Sequence, residues 1–330
     1  MAARQVIPDT LKGLAIVLMV YGHATHVGSL AAYQKLAVEI IYTFHMPIFL
    51  IVSGYFFNIK NNPYETGKAL LSRIALPYLI FVTLYLIGLI LIQKIGIPTS
   101  NAPPSSFIDL LDCIFLHPRG AYWFLHSLIL IQICLILTKI FGTRSKLDEL
   151  TLLIISLFLL AILCNYNLLL PRTTLYFLLG IIIRRFGWGF PISVKTGLFL
   201  IAIILILAKN EIFNFSFMQV VWSLSIITFL SGLCRFMEGS LIITIFAWLG
   251  RNSLIVLVLH AIFIVLLKPL SYMILKIDQT GLVYSLIVVI TTILGCIYCA
   301  YLLDKIRVSK YFFGTKSIYS IFKPISIITE

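Results

Sequence analysis

Histidine is the residue type in this sequence whose placement most directly indicates chemistry. Four of the six histidines fall inside long apolar runs, namely His23, His45, His126 and His260. Ionisable side chains are costly at membrane depth, so those that occur there are candidates for function. An imidazole titrates near neutral pH and can take a proton from a reacting hydroxyl. At about 1.5 Å of rise per residue, the four rings are compatible with one polar chamber inside a helical bundle.

The first apolar run carries the most informative spacing. In DTLKGLAIVLMVYGHATH, eleven steps of about 100° return His23 to within roughly 20° of Lys12 on the helix surface. Asp9, Lys12 and His23 therefore approximate one stripe, which extends towards His26, with a cation about three turns from an imidazole. The spacing leaves two interpretations open. The stripe lines a site, or Lys12 extends to the interface and His23 bonds a neighbouring carbonyl.

The second apolar run contains a helix-breaking residue beside a histidine. In YTFHMPIFLIVSGYFF, Pro47 frees backbone groups next to His45, which is tolerated where neighbours or a cavity satisfy them. Ser53 and Gly54 predict close helix approach. Glu39 is either a carboxylate partner for an imidazole or a residue of the outer interface.

Two later segments place further polar groups beside the remaining histidines. AYWFLHSL puts Trp123 and His126 on one helix face, although an interfacial aromatic belt explains the tryptophan equally well. GRNSLIVLVLHAIF puts Asn252 at a predicted helix cap, with His260 eight residues further on the same side.

The composition predicts that lipid surrounds much of the chain. Of its 330 residues, 61% are hydrophobic and 11% charged, and the mean hydropathy is +1.06. Soluble domains carry roughly 25% charged residues. We therefore predict an all-α, polytopic membrane helical bundle. The net charge of +13 comes from basic residues in short connections, which indicates membrane topology rather than a nucleic-acid partner.

Apolar runs of the required length predict about ten transmembrane helices in a single domain over residues 1–330. Of the 25 Lys and Arg residues, 18 fall on one predicted side and 7 on the other, so the positive-inside rule predicts both termini in the cytoplasm. Residues 95–120 form the one long connection, a possible cap over one face. The spans are predicted near 11–31, 37–58, 74–93, 121–140, 150–170, 173–186, 194–209, 215–237, 252–269 and 281–304.

Metal and redox chemistry are not expected. The six cysteines are scattered, and the CxxC of Cys296 and Cys299 lies inside a predicted helix without a second ligand cluster. The histidines also lack the spacing of metal ligands.

Five segments spread over most of the chain are specific in combination. They are D-x2-KG…GH at 9–23, FHMPIFLIVSGYFF at 44–57, SRIALPY at 72–78, YWFL at 122–125 and LGRNSLIVLVLH at 249–260. Together they resemble the acyltransferase-3 family of membrane acyltransferases, and most closely its fucose 4-O-acetylase-like subgroup. The resemblance implies a ten-helix domain that transfers an acyl group, commonly acetyl from acetyl-CoA, to a carbohydrate of the cell envelope. It also implies a bacterial cytoplasmic (inner) membrane.

The resemblance also implies roles for particular residues. The family motif of Arg, ten residues and a required His appears here as Lys12 and His23, so a cation is kept but the bidentate fork is lost. A family pair of arginines four apart is matched by Arg73 alone, with Ala69 at the other position beside Lys68. The resemblance thus implies His23 as the catalytic residue and Lys12, Arg73 and Lys68 as contacts of the CoA phosphates. Site-lining residues are expected among Asp9, Glu39, His45, Trp123, His126, Asn252 and His260.

Alternatives remain open on the sequence alone. A transporter or flippase for a glycan or small polar solute also places histidines at mid-membrane, and a non-catalytic scaffold of the same ancestry is a third interpretation. Within the acyltransferase hypothesis, His23 is either a general base or a transient acyl carrier. Neither the acceptor hydroxyl nor the acyl group is determined.

Overall fold

The computed structural model describes residues 6–59, 62–94, 101–187, 190–320 and 322. Within these ranges the chain is helical and contains no strand. Six helices or continuous helix pairs are long and apolar enough to cross a membrane. The prediction of an all-α, polytopic membrane bundle is therefore confirmed.

Sixteen α-helices are formed by the described residues. They are α1 (Val6–His23), α2 (Ala31–Tyr42), α3 (His45–Phe56), α4 (Pro63–Leu70), α5 (Leu76–Lys94), α6 (Phe107–Phe115), α7 (Trp123–Ser145), α8 (Glu149–Asn165), α9 (Pro171–Arg185), α10 (Val194–Leu207), α11 (Phe217–Phe236), α12 (Leu241–Arg251), α13 (Ser253–Leu267), α14 (Leu270–Ile274), α15 (Leu282–Lys305) and α16 (Ser309–Phe313).

Every predicted span falls on an observed helix, but the lengths differ. Helices α12 and α13 meet at a bend of 80° and count as a seventh span if they cross together, while α8 and α10 are apolar but shorter. The count of ten and the cytoplasmic termini stay predictions. The first span was placed too late in the sequence. Helix α1 ends at His23, so His26 lies beyond it rather than on the predicted stripe.

The second predicted span is divided into α2 and α3, as Pro47 suggested. A proline has no N–H to donate, so the carbonyl four residues earlier loses its helical partner. That carbonyl belongs to Thr43, and the Ser223 hydroxyl donates to it at 3.2 Å. The indole N–H of Trp222 also donates to the Thr43 hydroxyl at 2.8 Å. Two hydrogen bonds from α11 thus stabilise the backbone at Thr43, where α2 and α3 are separated.

Glycines let pairs of helices pack backbone against backbone. A Cβ added at Gly250 of α12 would lie 1.8 Å from the Asp9 carbonyl oxygen of α1, and one at Gly13 would lie 1.8 Å from that of Phe246. Gly54 packs in the same way against Phe177 of α9, which confirms the close approach predicted there. The close contact with α12, the helix that leads into α13, therefore fixes the depth and the rotation of α1.

The helices form two compact units. The first holds the chain up to Phe56, Tyr176–Tyr301 and the chain from Tyr319, and the second holds Phe57–Leu175 and Leu302–Ile318. The single domain of residues 1–330 stays a prediction, since the units interleave along the chain.

Candidate active site

Three of the four membrane histidines lie together in the first unit, around one tyrosine. The ring centroids of His23 and His260 are 5.2 Å apart, and Tyr42 lies 6.2 Å from His23 and 5.2 Å from His45. We call these four residues the imidazole cluster. The helix end of α1, the break between α2 and α3, and the middle of α13 each contribute to it.

Backbone contacts fix the proton positions of two of these rings. Nδ1 of His45 lies 2.8 Å from the Ile41 carbonyl oxygen, and Nδ1 of His260 lies 3.0 Å from that of Leu257. A carbonyl oxygen only accepts, so Nδ1 carries the proton in both rings. Nε2 is then the acceptor atom of the neutral form, and no hydrogen bond from the described residues occupies it.

Exposure separates His23 from its two neighbours. His45 and His260 are 3% and 1% exposed, whereas the His23 ring is exposed at the last residue of α1. No hydrogen bond within the described ranges fixes the His23 ring. His23 is therefore the imidazole of the cluster that a molecule outside the bundle can reach, whereas His45 and His260 are buried behind it.

Tyr42 connects His23 to the helix break. Its hydroxyl donates to the Gly22 carbonyl oxygen at 2.8 Å, which supplies a partner for one of the free carbonyls at the end of α1. The tyrosine ring sits where a Gly22 side chain would project, because a Cβ there would lie 2.6 Å from Cε1 of Tyr42. The glycine thus makes room for the contact that positions the following residue, His23.

Basic groups gather around the start of α1 in the same unit. Lys12 Nζ lies 3.2 Å from a carboxylate oxygen of the buried Asp9 and 6.0 Å from the centre of the Phe56 ring. Arg184 Nη1 donates to the carbonyl oxygens of Tyr55 and Phe56 at the end of α3. Lys12 and His23 are about 16 Å apart along α1. One helix therefore carries a basic group near its first turn and the accessible imidazole at its last residue.

The second unit holds the other predicted cations, both with exposed side chains. Arg73 lies in a π-helical turn, Leu71–Ala75, between α4 and α5. Pro77 explains the turn, because it removes the N–H that would bond the Arg73 carbonyl. Such turns often occur at functional sites. No ion pair or hydrogen bond from a described side chain engages the guanidinium of Arg73 or the ammonium of Lys68.

Two predicted site-lining residues have structural partners in the second unit. His126 donates from Nε2 to the Phe115 carbonyl oxygen at 2.9 Å, and its ring lies 5.9 Å from that of Tyr78. Trp123 begins α7 next to it and is half-buried, 6.2 Å from the Phe124 ring. These contacts fasten the connection after α6 onto α7.

Glu39 and Asn252 lie in different surroundings. Glu39 is exposed, and among the described residues its carboxylate contacts no imidazole. Asn252 stands at the predicted cap position, yet its side chain does not cap α13. It donates to the Trp248 carbonyl and accepts from the backbone N–H of Ser320, at 2.9 and 2.8 Å. The Trp248 indole also donates to the Ser320 carbonyl oxygen at 2.6 Å.

Three groups able to bind a metal lie together in the second unit, namely Asp109, Asp112 and Cys113. Asp109 already accepts from Arg119 at 2.9 Å and from the Ser105 backbone N–H at 2.8 Å. The Ser105 bond, with further help from Arg119, lowers the pKa of Asp109 below its ordinary value. Its carboxylate is therefore engaged in an ion pair that fixes the long connection.

Sequence reasoning missed Tyr42 and Arg184. Tyr42 stands three residues before His45, a helical spacing that hints at a shared face. Arg184 ends an apolar run, and its contact with α3 has no local signal.

The comparisons with known proteins give one match. The sequence profile described as an acyltransferase domain, acyltransferase-3, matches residues 6–301. No curated protein and no solved structure matches the chain.

Proposed function

The chain belongs to the acyltransferase-3 family of membrane acyltransferases, and from that premise we propose that it is an O-acetyltransferase of cell-envelope carbohydrate. The donor is cytoplasmic acetyl-CoA, and the acceptor is a hydroxyl of an envelope polysaccharide or of its lipid-linked precursor. We also propose that the chain belongs to the fucose 4-O-acetylase-like subgroup and that it resides in the bacterial cytoplasmic membrane. The family match favours this function over the transporter and the scaffold.

The observation that carries the proposal is the exposed His23 ring at the end of α1, within the matched residues. It lies 5.2 Å from the buried His260 ring and follows the residue whose carbonyl Tyr42 holds. A proton-accepting group needs a fixed position and an open path to its partner. The bond from Tyr42 to the Gly22 carbonyl fixes the backbone beside His23, and the exposure of His23 leaves its ring open to an acceptor.

The chemistry assigned to His23 is proton transfer during attack on the thioester. The acceptor oxygen forms a bond to the acyl carbon while its proton passes to the imidazole, and the C–S bond then breaks. The thiolate of CoA takes that proton as it leaves. In the alternative route, His23 itself receives the acyl group and the acceptor removes it in a second step.

The donor phosphates are assigned to exposed cations. Arg73 and Lys68 carry exposed side chains that no described anion engages. Arginine presents a fork suited to phosphate oxygens. Lys12 is the third proposed contact, although Asp9 at 3.2 Å offsets part of its charge. We therefore assign Arg73 the largest share of donor binding.

Replacing Arg73 with alanine is expected to raise the KM for acetyl-CoA roughly 10- to 150-fold, because a charge-assisted phosphate contact stabilises by roughly 1.5–3 kcal/mol. The Arg73→Lys variant keeps the positive charge, and its KM for acetyl-CoA should lie between those of the wild type and Arg73→Ala. The measurement is steady-state transfer in proteoliposomes with acetyl-CoA and with S-acetylpantetheine, which lacks the phosphates. The pantetheine KM should not change. An equal loss with both donors would contradict a phosphate contact.

Replacing Tyr42 with phenylalanine is expected to lower kcat up to about tenfold with little change in either KM. The variant deletes the hydroxyl that bonds the Gly22 carbonyl, and one hydrogen bond is worth about 0.5–1.5 kcal/mol. Tyr33→Phe is the matched control, because Tyr33 lies on the same helix and is 71% exposed. Equal kcat values in the two variants would remove Tyr42 from the positioning of His23.

The proposed function is tested by supplying radiolabelled acetyl-CoA to proteoliposomes that contain the full chain and extracted envelope glycans. We expect label in the glycan fraction, and an acetyl-sized mass difference in the glycans of cells with and without the gene. Label that appears only as free acetate, with unchanged glycans, would reject the carbohydrate acceptor.

A further inference from the structure

A second polar cluster lies in the first unit beyond the end of α1. Gln34 of α2 is 3% exposed, and its Oε1 accepts from the Ser285 hydroxyl of α15 at 2.5 Å. The same oxygen lies 3.2 Å from Nδ1 of His26, whose ring is 4.9 Å from that of Tyr21. We call His26, Gln34 and Ser285 the glutamine cluster.

Two buried atoms of the glutamine cluster have no hydrogen-bond partner among the residues that the structure describes. They are Nε2 of Gln34 and Nε2 of His26. If Nδ1 of His26 donates to the amide oxygen, its Nε2 is an unpaired acceptor and the amide NH₂ an unpaired donor. If the amide is turned round, the donor and the acceptor exchange places. Either orientation therefore leaves one donor and one acceptor, and each unpaired group destabilises the fold by about 1–3 kcal/mol.

The connection after α1, which carries His26, packs against the connection before α15, which leads to Ser285. The backbone N–H of Ser29 donates to Gln279 at 2.9 Å, and Gly28 and Gly281 meet with positive φ values of 89° and 79°. A Cβ at Gly281 would lie 1.9 Å from the Val27 carbonyl oxygen. Asp278 ties this connection together by accepting from Thr280 and Val283, and the Thr280 hydroxyl lowers the pKa of Asp278.

The unpaired atoms are suited to a hydroxyl group, which donates and accepts at once. Adjacent hydroxyls of a sugar ring match a donor and an acceptor carried by two neighbouring side chains, the Gln34 amide and the His26 imidazole. His26 is half-buried and only three residues beyond His23, so the glutamine cluster lies at the same end of α1 as the accessible imidazole. Tyr21 supplies an aromatic ring beside His26.

We propose that the glutamine cluster is the acceptor subsite, in which Gln34 and His26 bind adjacent hydroxyls of a pyranoside whose further hydroxyl is acylated. This inference rests on the proposed function. Ser285 acts on the sugar through Gln34, because its hydroxyl orients the amide. Substrate selectivity for a sugar over a simple alcohol then resides in α2 and in the connection after α1.

The test is direct binding of sugars, which needs no acyl transfer. The full chain in nanodiscs is titrated with methyl α-L-fucopyranoside and with methyl α-D-glucopyranoside, observed by saturation-transfer NMR. We expect at least one of the two to bind the wild type, and Gln34→Met to weaken that binding at least tenfold. His26→Phe removes the imidazole acceptor at a half-buried position and should weaken it similarly if Gln34→Met fails to fold.

Gln219→Met is the matched control. Gln219 is another buried glutamine of the first unit, 6% exposed, and also has one unpaired amide atom. It should bind the pyranoside as the wild type does. If the wild type binds neither pyranoside, or if Gln34→Met and His26→Phe bind like Gln219→Met, the unpaired atoms hold water only and the subsite is rejected. Sugar binding without transfer from acetyl-CoA would instead reject the proposed function and leave the subsite standing.

Discussion

Replacing His23 with alanine is expected to lower acyl transfer by about 10²–10⁴-fold, the range that a positioned general base contributes. His23 is the exposed ring of the imidazole cluster, and its side chain takes part in no described hydrogen bond that folding requires. The variant should therefore reach the membrane in normal amounts. The measurement is kcat for transfer in proteoliposomes, normalised to monodisperse protein.

His117→Ala is the control for the loss of an imidazole as such. His117 is exposed in the second unit, where Nδ1 lies 3.0 Å from Asp112, and its removal should leave kcat unchanged. Incubation with radiolabelled acetyl-CoA in the absence of acceptor separates the two routes, because only an acyl-histidine retains label on the wild-type protein. More than a tenth of wild-type activity in His23→Ala would exclude this ring from the reaction.

The second large effect is expected from a single methyl group between α1 and α12. Gly250→Ala would place a Cβ 1.8 Å from the Asp9 carbonyl oxygen. Backbone atoms in two packed helices do not yield as a flexible side chain does, so we expect destabilisation at or above the ~3 kcal/mol upper range of overpacking. Most of the protein should elute as aggregate in size-exclusion chromatography, with a lowered unfolding temperature in the remainder.

Gly88→Ala is the matched control, since it makes the same change in a helix with nothing within 4 Å of the new Cβ. It should be neutral or stabilise by up to about 1 kcal/mol, because alanine is the better helix former. If both variants elute alike and unfold at the same temperature, the close approach of α1 and α12 is not what fixes α1.

Local patterns predicted more of the fold than of the site. Apolar run length placed every span on a helix, and Pro47 predicted the break after α2, because both features act within a few residues. The end of α1 was misplaced, because apolar residues continue past His23 and hide the turn at Gly28. A span was predicted to begin at Asn252, where α13 begins, but α12 was assigned to no span because its eleven residues are too few to cross a membrane, so the 80° bend between the two helices was not predicted.

The site depended on contacts that no local pattern encodes. Depth counting suggested that the membrane histidines share a chamber, and three of them meet, but His126 bonds a carbonyl in the second unit. Glu39 was weighed as an imidazole partner on charge, whereas the group in contact is Tyr42, an uncharged ring on the same helix. Which side chains meet depends on helix rotation and tilt, which run length does not determine.

The bend after α12 is bonded to a segment much later in the sequence. Trp248 lies in α12 and Asn252 is the residue between α12 and α13, and both form hydrogen bonds with the backbone of Ser320, which follows Asn252 by 68 residues. These bonds hold the residue at which α12 ends and α13 begins against the backbone of Ser320, and so fix the point from which α13 carries His260 towards His23. The start of the helix that carries His260 is thus anchored by Ser320, for which no contact with either ring is seen among the described residues.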